Sequence, residues 1–121
     1  MQNNSKTIFC DIDGTLIEHC NDTCLLTDPE FIPTILPGTL EKLKEWDLKG
    51  YYIILTTGRK ESMRKATEAQ LRKIGIFYDQ LVMGFGGAKR YIINDRKKDS
   101  SEDTVFSINI NRNEGVKNVD I

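Results

Sequence analysis

Ile8-Phe-Cys-Asp-Ile-Asp-Gly-Thr-Leu16 decides the reading of this chain: a short apolar run stops at two carboxylates, a glycine and a threonine. Apolar residues followed by turn formers predict a buried strand over residues 7–11 that ends in a loop, with Asp11 at its carboxyl end and Asp13 just beyond. In open α/β sheets that edge is where ligands bind. Two carboxylates so close repel, and each raises the other's pKa unless a cation sits between them. Mg²⁺ meets that need, being a hard ion held by one or two carboxylates with water and a substrate phosphate. With the ion present, Asp11 can stay ionised and attack phosphorus, while Asp13 protonates the leaving oxygen and later activates water. Gly14 permits the tight exit from the strand, and the Thr15 hydroxyl can hold the loop. Taken alone, these five residues also fit an ordinary Asp/Gly turn after a strand.

Working outward, residues 17–37 carry Pro29, Pro33 and Pro37 among polar residues without sustained periodicity, which predicts a loop or flap over the site. Within it, His19-Cys20 and Cys24 bring three soft metal ligands together, one short of a structural zinc set. Pro37-Gly38-Thr39 opens a helix with Gly38 or Thr39 as its N-cap, Glu41 in the first turn, and Leu40, Leu43 and Trp46 at helical spacing. Gly50 ends it. Tyr51–Leu55 is a second apolar strand, closed by Thr56-Thr-Gly-Arg59. A helix over about Lys60 to Ile74 follows, with its charges on a solvated face, then a short strand Leu81–Met83 and a flexible Gly84-Phe-Gly-Gly87 loop before Lys89. Tyr91–Ile93 predicts a fourth strand ending in Asn94 and Asp95, Thr104–Ile110 alternates as a half-buried edge strand should, and the tail over 111–121 is expected to be loosely held.

This order predicts a single α/β domain over residues 1–121, Rossmann-like, with a mainly parallel sheet flanked by helices and joined by right-handed crossovers. Its 121 residues leave no room for a second substrate domain. A net charge of −1 gives no electrostatic case for nucleic acid or an anionic membrane as the main partner. Residues 1–6 lead into the first strand without a signal-peptide core, no apolar stretch approaches transmembrane length, and three sparse cysteines do not form a disulfide framework; a cytoplasmic protein is expected.

A phosphoryl group in transfer spreads negative charge over three oxygens and needs a metal, a cation and neutral donors around it. Asp11 and Asp95 can hold Mg²⁺, a threonine after the second strand can donate to a phosphate oxygen, Lys89 or Arg90 can neutralise it, and Asp99 can brace the metal shell. On Asp11-Ile-Asp13-Gly-Thr15, Leu55-Thr-Thr57-Gly-Arg59 and Asn94-Asp95-x-x-x-Asp99, in that order, the chain resembles the haloacid dehalogenase-like superfamily of aspartate-nucleophile phosphatases. The resemblance implies Asp11 as nucleophile, Asp13 as general acid/base, and Thr57 with Gly58 at the phosphate. It implies Lys89 or Arg90 as the phosphate cation, and Mg²⁺ held by Asp11, the Asp13 main chain and Asp95, with Asp99 in support.

Lys89 lies nearer Asp95 than in most relatives, and the chain lacks a large cap domain, so its site is open to bulky substrates or is covered by a neighbouring subunit of a homo-oligomer. Gly86-Gly-x-x-Arg90-Tyr-Ile-Ile-Asn-Asp95 is also similar to small bacterial members associated with capsule or surface-sugar synthesis, which implies a small phosphorylated metabolite such as a sugar phosphate. Two other classes compete. A receiver domain would need a carboxylate directly after Leu55, and none is there; a non-catalytic Mg²⁺- or partner-binding domain would have no need of Asp13.

Overall fold

The apolar run before Asp11 forms β1 (Thr7–Asp11), and its alternation places Ile8 and Cys10 in the core. The structure, a computed structural model, describes residues 5–121; residues 1–4, part of the segment read as lacking a signal core, lie outside them. Two further strands follow, β2 (Tyr52–Thr57) and β3 (Gln80–Met83). All pair in parallel in the order β1-β2-β3, with Asp11 opposite Thr56 and Thr57 opposite Met83, so the site segments meet at one sheet edge.

Three helices connect them: α1 (Thr23–Leu26), α2 (Thr39–Leu48) and α3 (Arg64–Lys73), the last preceded by a single 3₁₀ turn at Glu61–Met63. Gly38 is the N-cap of α2, at φ 85°, and Glu41 sits in the first turn as expected. A methyl group on Gly38 would come within 2.4 Å of the Lys117 backbone, so glycine is required there on two counts. Leu43 and Trp46 of α2 and Leu71 of α3 join Ile8, Ile12, Leu16, Ile53 and Leu55 in one apolar core. Burying a side chain such as Leu43 in full contributes about 1.5–3 kcal/mol.

The flap read over 17–37 is present, while the expectations of a loose tail and of two later strands are corrected. The segment 17–37 is a built flap: Ile17 bridges Ile35, Leu36 N–H donates to the Leu16 carbonyl at 3.0 Å, and α1 lies between these limbs, capped by the Asp22 carboxylate. The tail is docked, since Asn113 N–H donates to the Gly14 carbonyl and Val116 is buried in the core. Tyr91–Ile93 and Thr104–Ile110 form no strand; seven residues, 84–90, separate β3 from Tyr91, too few for a parallel crossover of a dozen or so. With no strand beyond it among the described residues, β1 is an edge strand, and Phe9 is 60% exposed.

Candidate active site

Asp13 is the most tightly held residue at the carboxyl edge. The loop carrying it is wound around the Ile12 carbonyl, which accepts from the N–H groups of Thr15, Leu16 and Ile17, while the Ile12, Leu16 and Ile17 side chains are buried beneath. Arg59 grips its carboxylate with two prongs, Nη2 donating to Oδ1 at 2.8 Å and Nε to Oδ2 at 3.1 Å. The Thr57 hydroxyl donates to the same Oδ2 at 3.2 Å and accepts from the Arg59 N–H at 3.1 Å. A planar guanidinium engaging both oxygens fixes orientation as well as charge.

The other side of the guanidinium is anchored from α3. Arg59 Nη1 donates to the Thr67 hydroxyl at 3.1 Å and to Gln70 Oε1 at 2.8 Å, and all three residues are buried. Gln70 Nε2 in turn donates to the carbonyls of Leu25, Leu26 and Asp28 at 2.9–3.2 Å, tying the flap to the same network. The sequence reading placed Arg59 at the close of the second strand and missed Thr67 and Gln70. Their signal was present: both lie on the face of α3 that also buries Ala66 and Leu71, where a polar side chain requires a partner.

Asp11 stands apart from that network. Burial raises its carboxyl pKa, and the Asp13 charge adds to the rise; the Thr15 hydroxyl, donating to Oδ2 at 3.1 Å, and the Arg90 charge act in the opposite sense. Thr15 therefore steadies Asp11 and not merely its loop. Arg90 is folded over the Phe85 ring and donates to the Gly86 and Ala88 carbonyls. Lys89 is exposed. Gly58 lies under the Gly84–Gly87 loop, where an added methyl would approach the Gly86 carbonyl oxygen to 2.8 Å.

The structure does not gather the expected metal ligands. Among the described residues no three His, Cys, Asp or Glu side chains come together to hold an ion, so Asp95 and Asp99 do not join Asp11 and Asp13, nor do His19, Cys20 and Cys24 form a set. Asp95 and Asp99 are exposed on the segment beyond Arg90. Asp11 alone suits a hard cation: a half-buried carboxylate raised by burial and by a neighbouring charge is relieved by Mg²⁺, which accepts one protein carboxylate and a shell of water.

A family profile described as haloacid dehalogenase-like hydrolase matches residues 8–113. The chain belongs to this family. Among solved structures, a chain of a Pnkp1/Rnl/Hen1 RNA repair complex is similar at 31% identity and TM-score 0.55, covering 69% of this chain and 27% of that one. A second Pnkp1/Rnl/Hen1 complex gives 28% identity and TM-score 0.56 over 74% of this chain and 32% of that chain. This haloacid dehalogenase-like chain thus spans about a third or less of the repair proteins it matches. The crystal structure of an MCSG target from Vibrio cholerae shares the fold at 20% identity and TM-score 0.53, covering 74% of this chain and 79% of that one. No curated protein matches the sequence at the level of significance applied. The family is one of hydrolases, and among the described residues no helix is long and apolar enough to cross a membrane.

Proposed function

We propose that the chain is a Mg²⁺-dependent phosphomonoester hydrolase working through an aspartyl-phosphate. One observation carries the reading: the second carboxylate of the pair is locked by Arg59 and Thr57, while the first, held by the Thr15 hydroxyl and the Ile12 N–H, is left for chemistry. Mg²⁺, when held at Asp11, would neutralise the phosphate and keep Asp11 ionised. An Asp11 oxygen attacks phosphorus, the P–O ester bond breaks, and Asp13, which takes up a proton from solvent before this step, gives it to the departing alcohol. Asp13 then takes a proton from water as that water attacks phosphorus, breaking the bond to Asp11 and releasing inorganic phosphate. Gly58 and Arg90 line the phosphate side of this reading, with Arg90 favoured over Lys89 because its charge reaches Asp11. Thr57, in the same reading a phosphate ligand, has its hydroxyl on Asp13 before substrate arrives.

The substrate proposed is a small phosphorylated metabolite such as a sugar phosphate. The likeness to chains of RNA repair complexes favours a second reading, a phosphate at a polynucleotide end, against which the net charge of −1 counts. Hydrolysis of an aryl phosphate with and without Mg²⁺, in wild type, Asp11→Asn and Asp13→Asn, tests the chemistry. Turnover should need Mg²⁺, vanish in Asp11→Asn, and fall by about 10²–10⁴ in Asp13→Asn with an alkyl phosphate, where the leaving group most needs a proton. Undiminished turnover in Asp11→Asn would remove the nucleophile from the scheme. Comparing a sugar phosphate with a 3′-phosphorylated oligonucleotide separates the two substrates.

A further inference from the structure

Residues 111–114 make a tight turn against the loop that carries Asp13. The Glu114 N–H donates to the Asn111 carbonyl at 3.1 Å, and Asn113 takes a left-handed backbone at φ 65°, a conformation that asparagine adopts more readily than most residues. Two contacts pin the turn in place: Asn113 N–H donates to the Gly14 carbonyl at 2.8 Å, and Asn113 Oδ1 accepts from the His19 N–H at 2.8 Å. One residue thus ties the acid loop to the first residues of the flap.

Arg112 stands at the apex of this turn. Its stem lies over the buried Gly14, where an added methyl group would meet Arg112 Cγ at 3.3 Å and Nε at 3.9 Å, so the glycine between Asp13 and Thr15 leaves room for the arginine to cross the loop. Arg112 itself is exposed. Among the described residues its guanidinium has no hydrogen bond and no ion pair: Glu114, the carboxylate of its own turn, accepts from the Asn111 amide at 3.3 Å, and the neighbouring His19 Nε2 is bonded to Asn21 at 2.8 Å. A planar fork of five donors is thus held beside the acid loop by a fixed backbone, and that fork suits a carboxylate or a phosphate.

The three arginines around the acid pair divide the work. Arg59 is spent on Asp13, and Arg90 acts on the Asp11 carboxyl from the loop after β3. The charges that act on Asp11 do not include that of Arg112, which stands farther out, on the Gly14 side of the loop beside His19. Its reach is therefore to a part of the substrate beyond the transferred phosphate. We propose that Arg112 binds a second oxyanion of the substrate, a carboxylate or a further phosphate, so that the preferred substrate is a small phosphomonoester carrying two anionic groups. The inference rests on the proposed function for the place of the first phosphate, at Asp11, and narrows the substrate class of that same site. A sugar phosphate whose other groups are neutral leaves the fork idle.

Glucose phosphate, phosphogluconate and glucose bisphosphate test it, since they share a phosphorylated carbon skeleton and differ in the second anion. With Mg²⁺ present, kcat/KM for the doubly anionic compounds should exceed that for glucose phosphate about tenfold in wild type, the lower end for hydrogen bonds to a charged group because exposure weakens the pair. In Arg112→Met, which keeps the stem over Gly14, that ratio should fall to about one, with the loss carried by KM. Arg112→Lys, with the charge but not the fork, should keep part of it. A preference for phosphogluconate alone assigns a carboxylate, and one for the bisphosphate alone a phosphate. A wild type that gains nothing from the second anion, or a preference that persists in Arg112→Met, overturns the proposal and leaves the phosphatase reading standing. Titration calorimetry of phosphogluconate into wild type and Arg112→Met decides the case in which none of the three is hydrolysed. A dissociation constant raised about tenfold in Arg112→Met then sustains the anion site and overturns the phosphatase reading alone; equal affinities, or no binding, overturn the anion site as well.

Discussion

Replacing Arg59 with methionine keeps an unbranched apolar stem and deletes four hydrogen bonds at once: two to Asp13, one to Thr67 and one to Gln70. Removing one partner of a buried ion pair costs about 3–5 kcal/mol, because the remaining charge stays without compensation. The Asp13 side chain keeps 18% exposure and its bond from Thr57, which places this part near the lower bound. Leaving Gln70 Oε1 buried without a donor adds about 1 kcal/mol. The sum is about 4 kcal/mol, or roughly 10–20 °C in melting temperature for a chain of this size. Arg59→Lys should recover little, since one ammonium cannot reproduce the fork. Urea unfolding of Arg59→Met, Asp13→Asn and the double variant measures it, and the two single losses should exceed the double by more than about 1 kcal/mol. A loss under about 1 kcal/mol for Arg59→Met, or strict additivity, would refute the network argument.

Because burial holds the Asp11 carboxyl above its ordinary value, the folded state binds a proton that the unfolded chain releases, so this group lowers stability as pH rises through the usual carboxylate range and the raised folded value. Asp11→Asn should therefore be more stable than wild type at neutral pH, with the gap closing toward acid, as read from urea midpoints at several pH values; a gap that widens toward acid would contradict it. Mg²⁺ should raise the wild-type midpoint and leave that of Asp11→Asn unchanged. Trp46 is the single tryptophan, buried with its Nε1–H unpartnered among the described residues, so Trp46→Phe should cost under about 1.5 kcal/mol and Trp46→Ala about 3–5 kcal/mol in chemical denaturation. Gly38→Ala would press a methyl group on the Lys117 backbone at a left-handed position and should cost more than about 1 kcal/mol, with the tail amides near Val116 losing protection from exchange.

What was legible in the sequence was local. The apolar runs of β1, β2 and β3 could each be read because a buried strand needs little beyond its own side chains and a turn former at its end, and α2 and α3, though not the short α1, were announced by Gly38 and by apolar spacing. Tyr91–Ile93 has the same composition and is no strand here, since a strand exists only beside a neighbour and the linker length, not the run itself, decides which neighbour it can reach. Asp11 and Asp13 were found from their spacing. The roles of Thr67 and Gln70 were not, because their partner lies on another element and the pairing follows from how α3 packs on the sheet.

Gln70 carries a mechanical consequence. Its amide faces two ways, three flap carbonyls on the nitrogen side and the Arg59 guanidinium on the oxygen side. Lifting α1 away from the body must break the first set, and a released amide is free to rotate out of the second. A movement that admits a bulky molecule over the sheet edge would thus slacken the clamp on Asp13, and reseating the flap would tighten it. The seating of the flap and the setting of the Asp13 carboxylate are thus geared to one side chain.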